Sequence, residues 1–306
     1  MSLGVGAAAA AFYVTFVRDL PSFETLSDYR PPLTSTVYDR RGVPVGEFYE
    51  FRRQLTSLDA VPRHVIQAFL AAEDDTFYEH SGVDYLSILR AAWANLRAGG
   101  ETVQGASTIT QQMVKQLLLS SEQTYRRKIR ELILARRIEQ RFSKDDILYL
   151  YLNQIYFGHG AYGIGEAARS YYDKTVSELT ISEGAQLAGL PKAPSRYSPH
   201  ANPDQAEKRR LYVLERMHAD GFLDAATYAA AVEDVPVLRE PSDQSDFEVA
   251  GYFTEEVRRE LFDLLGGEAV LKGGLRIETT LDIELQRAAV EAVRSGLEAL
   301  SKRQGY

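Results

Sequence analysis

Helical periodicity runs almost unbroken from about residue 62 to residue 220, which leaves little room for a sheet-based architecture. The strongest segment is 122–142, where Ile129, Leu132, Ile133 and Ile138 fall mainly on one side. Between Arg126 and Arg141, seven basic side chains face only Glu131 and Glu139, a local excess of five positive charges in a chain of net charge −8. Strand and helix patterns do not alternate, and no internal repeat is visible, so a mainly α domain is expected rather than a βαβ fold.

Helix punctuation follows the same reading. Asp84 is placed to cap a helix over 84–96, with Tyr85, Leu86, Leu89, Ala92, Trp93 and Leu96 at helical spacing and Gly99-Gly100 ending it. A second helix spans 108–119 and ends in an exposed-looking Leu117-Leu118-Leu119. Ser143 caps the segment before 147–153, and glycines at 158, 160, 163 and 165 mark a loop before a helix over 166–172. A small-residue helix over 182–190 stops at Pro191. A proline-rich loop over 193–203 then leads to an amphipathic helix over 205–220.

The flanks differ. Residues 35–39 and 45–49 bracket Arg40-Arg41-Gly42-Val43-Pro44 as a small β-hairpin. The acidic, proline-containing stretch 234–247 reads as a boundary. Beyond it come a helix over 253–265, a strand-like 274–280 and a terminal helix from Asp282. Residues 4–17 are apolar apart from Thr15, and as a helix would reach about 21 Å, short of the ~30 Å bilayer core. They read as the C-terminal half of a membrane anchor. The expected organisation is an anchor over 1–20, a connector and hairpin over 21–61, a helical domain over 62–240 and a linker segment over 241–306.

Composition narrows the chemistry. Cysteine is absent from the 306 residues, which removes disulfides and thiolate metal sites. The acidic balance argues against a nucleic-acid partner. Glu73, directly after the apolar run 65–72, is placed for the partial desolvation that turns a carboxylate into a general base. Ser107, Thr108, Thr110, Gln111 and Gln112 offer the donors and acceptors that sugar or phosphate recognition needs. Lys115, Arg127 and Lys128 suit an oxyanion or phosphate, and Lys128 shares a helical face with Glu131. His80 has no second ligand at metal spacing, so it is expected to order its loop, and Phe77 to pack. There is no Gly-x-Ser-x-Gly elbow, P-loop or dinucleotide fingerprint.

Four motifs stand in order: Glu73-Asp74-x-x-Phe77-x-x-His80-x-Gly82, Gly105-x-Ser107-Thr108-Ile109-Thr110-Gln111-Gln112, Arg127-Lys128-x-x-Glu131 and Lys144-x-x-Ile147-Leu148-x-x-Tyr151-Leu152-Asn153. Together they resemble the signature of the family 51 peptidoglycan glycosyltransferases, the glycosyltransferase module of class A penicillin-binding proteins. Leu190-Pro191-Lys192-Ala193-Pro194 extends the match, which covers about 55–217. The resemblance implies a mainly α, lysozyme-like glycosyltransferase domain, flanked by the small β-hairpin and a partial α+β linker. Its substrate would be lipid II, polymerised into β-1,4-linked glycan with release of undecaprenyl pyrophosphate and inversion. Glu73 matches the catalytic base and Glu131 the second glutamate at the donor side. Lys115, Arg127 and Lys128 match donor-phosphate contacts. Asp74, Ser107, Thr108, Gln111 and Gln112 fall on the substrate-binding part of the cleft. Some members use a divalent cation (Mg²⁺ or Mn²⁺), for which Asp74 or Glu131 are the nearest candidates.

The region 83–96 corresponds to a jaw that dips into the membrane in this family. The expected location is the bacterial inner membrane, with the catalytic domain on the periplasmic or extracellular face and other cell-wall synthesis proteins as partners. Gln116 replaces a common Asn and Gln123 a common Arg. Ser-x-x-Lys and Lys-Thr-Gly are absent, so no transpeptidase activity is expected in this chain, although 273–286 resembles the linker to such a domain. A chain cut short at both ends is the corresponding expectation. The alternatives are a muramidase or lytic transglycosylase, which has no pyrophosphate for the cationic patch to meet, and a non-catalytic cell-wall scaffold.

Overall fold

The computed structural model describes residues 11, 13–18, 20, 21, 31–97, 107–119, 124–239 and 246–305. Two compact units emerge, one from residues 1–30 and 55–238, the other from 31–54 and 239–306.

The first unit is helical: α1 Arg63–Glu73, α2 Tyr85–Arg97, α3 Ile109–Leu118, α4 Tyr125–Ile138, α5 Lys144–Gln154, α6 Ile164–Tyr172, α7 Ile181–Gly189, α8 Pro203–Ala219 and α9 Ala225–Glu233. Its core draws Val65, Ala68 and Phe69 from α1, Met113 from α3, Leu134 and Ile138 from α4, and Ile147, Leu148 and Tyr151 from α5. Phe69 is sealed, and its ring meets Tyr151 edge-on at 6.4 Å and Phe157 at 5.9 Å. Burying such a side chain contributes about 1.5–3 kcal/mol.

Local chemistry sets the helix ends. The Thr108 hydroxyl accepts the Gln111 N–H at the start of α3, and Ser143 and Asp146 form a reciprocal capping box on α5. Gly163, at φ 81°, passes so close to α5 that a Cβ would sit 2.9 Å from the Asn153 carbonyl oxygen. The glycine-marked loop is thus a tight hairpin of Tyr156–Gly158 with Ala161–Tyr162, and α6 starts at Ile164 rather than Glu166.

Two sequence expectations need correction. The buried face of α4 is Glu131, Leu134, Ala135 and Ile138, whereas Ile129, Leu132 and Ile133 are half-buried. The segment Tyr13–Val17 lies beside α4, where Arg126 Nε donates to the Thr15 carbonyl at 3.0 Å. The Leu117-Leu118-Leu119 triplet is half-buried against the main core instead of exposed. Helix α9 adds an element that periodicity did not signal; its alanine-rich sequence has little apolar contrast, and only Ala231 is fully buried.

In the second unit, Ser35–Tyr38 pairs antiparallel with Pro44–Phe48, as the hairpin pattern predicts. Arg276–Glu278 adds a parallel strand, with Val37 opposite Ile277. Helices α10 Asp246–Val249, α11 Gly251–Leu265, α12 Gly267–Lys272 and α13 Ile283–Gln304 complete it. Val37, Val45, Phe48, Val249, Val270 and Ile283 form its core. The hairpin, expected to belong with the connector at 21–61, therefore shares a core with the C-terminal segment. The anchor expected over 1–20 lies mostly outside the described residues, as does Gln123. Among the described residues, no helix is long and apolar enough to cross a membrane.

Candidate active site

Helix α1 ends at Glu73 because the next residue leaves helical geometry, with Asp74 at φ −165°. Asp74 is then locked. His80 Nδ1 accepts the Gly82 N–H at 3.2 Å, so its Nε2 carries the proton and donates to both Asp74 oxygens at 3.0 and 3.1 Å. Asp74 Oδ2 also accepts the Ile109 N–H at 2.9 Å, tying the loop to the start of α3. Thr108 Oγ1 donates to the Gly82 carbonyl at 2.8 Å. Gly82 itself, at φ 88°, runs against α4, where a Cβ would meet the Ala135 carbonyl oxygen at 2.7 Å. Phe77 is fully buried. The first motif is therefore a hydrogen-bonded loop that ties the end of α1 to the start of α3.

Glu73 lies in a cleft of about 320 Å³, together with Ser107, Gln112, Lys192, Arg209 and Tyr212. Its carboxylate is nearly covered, with 11% side-chain exposure. Gln112 Nε2 donates to Oε2 at 2.7 Å, and the Arg209 guanidinium stands 3.5 Å from Oε1. Burial pushes the carboxyl above the usual glutamate value, against the opposing pull of Gln112, Arg209 and Lys192. At the rim, Arg216 joins Asp75 at 2.8 Å and Asp220 at 3.0 Å.

The cationic cluster is built differently. Glu131 is buried and ion-paired to Arg127 at 3.0 Å and to Lys128 at 3.0 Å. Lys128 Nζ donates to Ser107 Oγ at 2.8 Å and to Gln111 Oε1 at 3.3 Å, yet its side chain remains 45% exposed. Ser107, which also lines the cleft, links the two groups. Glu131 thus orients cations rather than facing the cleft.

Of the sequence-predicted residues, the cleft gathers Glu73, Asp74, Ser107, Thr108 and Gln112. Asp74 and Thr108 spend their polar atoms on the protein scaffold, and Gln111 is buried behind Lys128. Lys115 is exposed on α3 and does not line the cleft. Protein donors or cationic side chains engage all four carboxylate oxygens of Asp74 and Glu131. Periodicity gave Arg209 no sign beyond an amphipathic helix; its contact with Glu73 is visible only once α8 packs against α1.

A transglycosylase family model matches residues 41–218. The chain belongs to the transglycosylase family. It is 41% identical over 99% of its length to penicillin-binding protein 1A of Rickettsia bellii, and 43% identical over 99% to that of Neisseria flavescens. The Aquifex aeolicus protein of that name is 42% identical over 95%. The chain spans only 38–39% of the length of these relatives. A crystal structure of penicillin-binding protein 1A from Haemophilus influenzae superposes with a TM-score of 0.51 at 28% identity, covering 90% of this chain and 30% of the other. The chain is thus mainly α and lysozyme-like, with small sheets.

Proposed function

We propose that this chain is a peptidoglycan glycosyltransferase that polymerises lipid II into β-1,4-linked glycan. Glu73 takes the proton of the acceptor 4-hydroxyl as that oxygen attacks the donor's C1. The bond from C1 to the pyrophosphate oxygen breaks on the opposite side, so the configuration inverts and undecaprenyl pyrophosphate leaves with the bonding pair. Lys128 and Arg127, oriented by Glu131, receive the developing phosphate charge. Lys115 supplies a more exposed contact to the same donor.

The observation that carries this reading is a nearly covered carboxylate opening on a cleft, with a buried-acid cluster holding an exposed ammonium next to it. A base of this kind contributes about 10²–10⁴-fold to rate. The exposed apolar face of α2 supports a bilayer-embedded substrate: Tyr85, Leu86, Leu89, Trp93 and Leu96 are all more than half exposed. On this reading the catalytic unit works at the outer face of the cytoplasmic membrane.

The test is polymerisation of fluorescent lipid II resolved by gel. Wild type forms ladders of glycan, whereas Glu73→Gln leaves the substrate unpolymerised while its circular dichroism is unchanged. Near-normal turnover by Glu73→Gln would remove residue 73 from the base role. Hydrolysis of preformed glycan by wild type, with no polymer from lipid II, would instead favour the muramidase class.

A further inference from the structure

We propose that Arg209 is a positioning residue for catalysis: a buried guanidinium, packed near two tyrosine rings, that holds Oε1 of Glu73 and so fixes the direction of the base. This rests on the reading of Glu73 as the proton acceptor. Arg209 projects from α8 with only 8% side-chain exposure and stands 3.5 Å from Oε1. That oxygen is buried and has no hydrogen-bond partner among the described residues, so the guanidinium is the charge that answers it. Gln112 holds the other oxygen from α3. The two partners approach from different helices, which leaves the carboxylate little freedom to rotate.

The arginine is itself immobilised. Its guanidinium carbon lies 4.7 Å from the Tyr212 ring centroid and 5.7 Å from that of Tyr197, and Nε donates to the Gly189 carbonyl at 3.3 Å. Gly189 makes room for the stem, since a Cβ there would come within 2.8 Å of Arg209 Cγ. A planar fork packed against two aromatic rings and tied at Nε is a pre-organised partner in a way that a flexible lysine is not. Among the described residues, no other charge near the carboxylate is as well placed to hold it. Lys192 is exposed, Asp74 is committed to His80 and Ile109, and Arg216 is paired with Asp75 and Asp220. The hydroxyl of Tyr151, from α5, is buried and donates to none of the described groups.

The experiment is a double-mutant cycle on the whole chain, crossing Arg209→Met with Glu73→Gln, read by thermal unfolding and by lipid II polymerisation. Arg209→Met retains the stem and removes the charge. Its expected signature is a fall in kcat of about 10–100-fold with little change in KM, as for a misdirected base. Arg209→Lys recovers part of that loss. In unfolding, the cost of Arg209→Met shrinks in the Glu73→Gln background, because no buried carboxylate is then left unpaired. Arg209→Gln, which keeps a donor for the Gly189 carbonyl, carries the same cycle should the methionine variant fail to fold. Additive melting shifts, or a fully active neutral variant beside an inactive Glu73→Gln, overturn the assignment of Arg209 alone. Near-normal turnover by Glu73→Gln overturns the base assignment first, and this inference with it.

Discussion

At Glu73, burial and neighbouring cations pull the carboxyl in opposite directions, and burial dominates. A base must be ionised, so turnover rises with pH through the raised value. The acid limb of the rate profile is therefore expected above the ordinary glutamate range, measured as kcat against pH. The sign for stability is opposite. A carboxyl raised in the folded state stabilises the fold below its unfolded value, and that contribution is lost as pH rises through the folded value. Glu73→Gln does not titrate, so its melting temperature gains on wild type across that window; a constant gap would contradict the shift. At Lys128, three acceptors hold the ammonium and leave it half exposed. Lys128→Ala is expected to lower kcat/KM for long glycan donors by about 10–100-fold, the worth of one charged hydrogen bond. Unchanged kinetics would refute the phosphate role. Glu73 was legible as an acid following an apolar run. Arg209 was not, because nothing local distinguishes it from Arg210, which bonds Glu207 and the carbonyls of 231 and 232 instead.

Among the elements, α1 does the positioning. Its apolar face is fixed in the core through Phe69, and its last residue is the proposed base. Phe69→Ala is expected to cost about 3–5 kcal/mol in urea unfolding, by lost burial and an unfilled cavity. A loss under about 1 kcal/mol would mean that the ring does not anchor the helix. Two caps were readable because they are local: Asp84 and Ser143 each bond N–H groups within three residues. The face of α4 was not, because Glu131 takes a buried position through its ion pairs while Ile129, Leu132 and Ile133 are half-buried.

For the molecule as a whole, the apolar face of α2 stands exposed on a chain of net charge −8. Attachment to a bilayer through that face would be hydrophobic rather than electrostatic. Replacing Leu86, Leu89 and Trp93 together with glutamate is expected to reduce co-sedimentation with neutral lipid vesicles, and high salt is expected to leave wild-type binding intact. Equal binding by the triple variant would place the contact elsewhere. The sequence alone determined the helical class, the hairpin and the catalytic candidates, because periodicity, caps and turn residues act over a few positions. Only the tertiary structure decided which polar side chains face the cleft and which brace its walls. That choice depends on which helices cross, and so on partners far apart in the chain, such as Glu73 with Arg209.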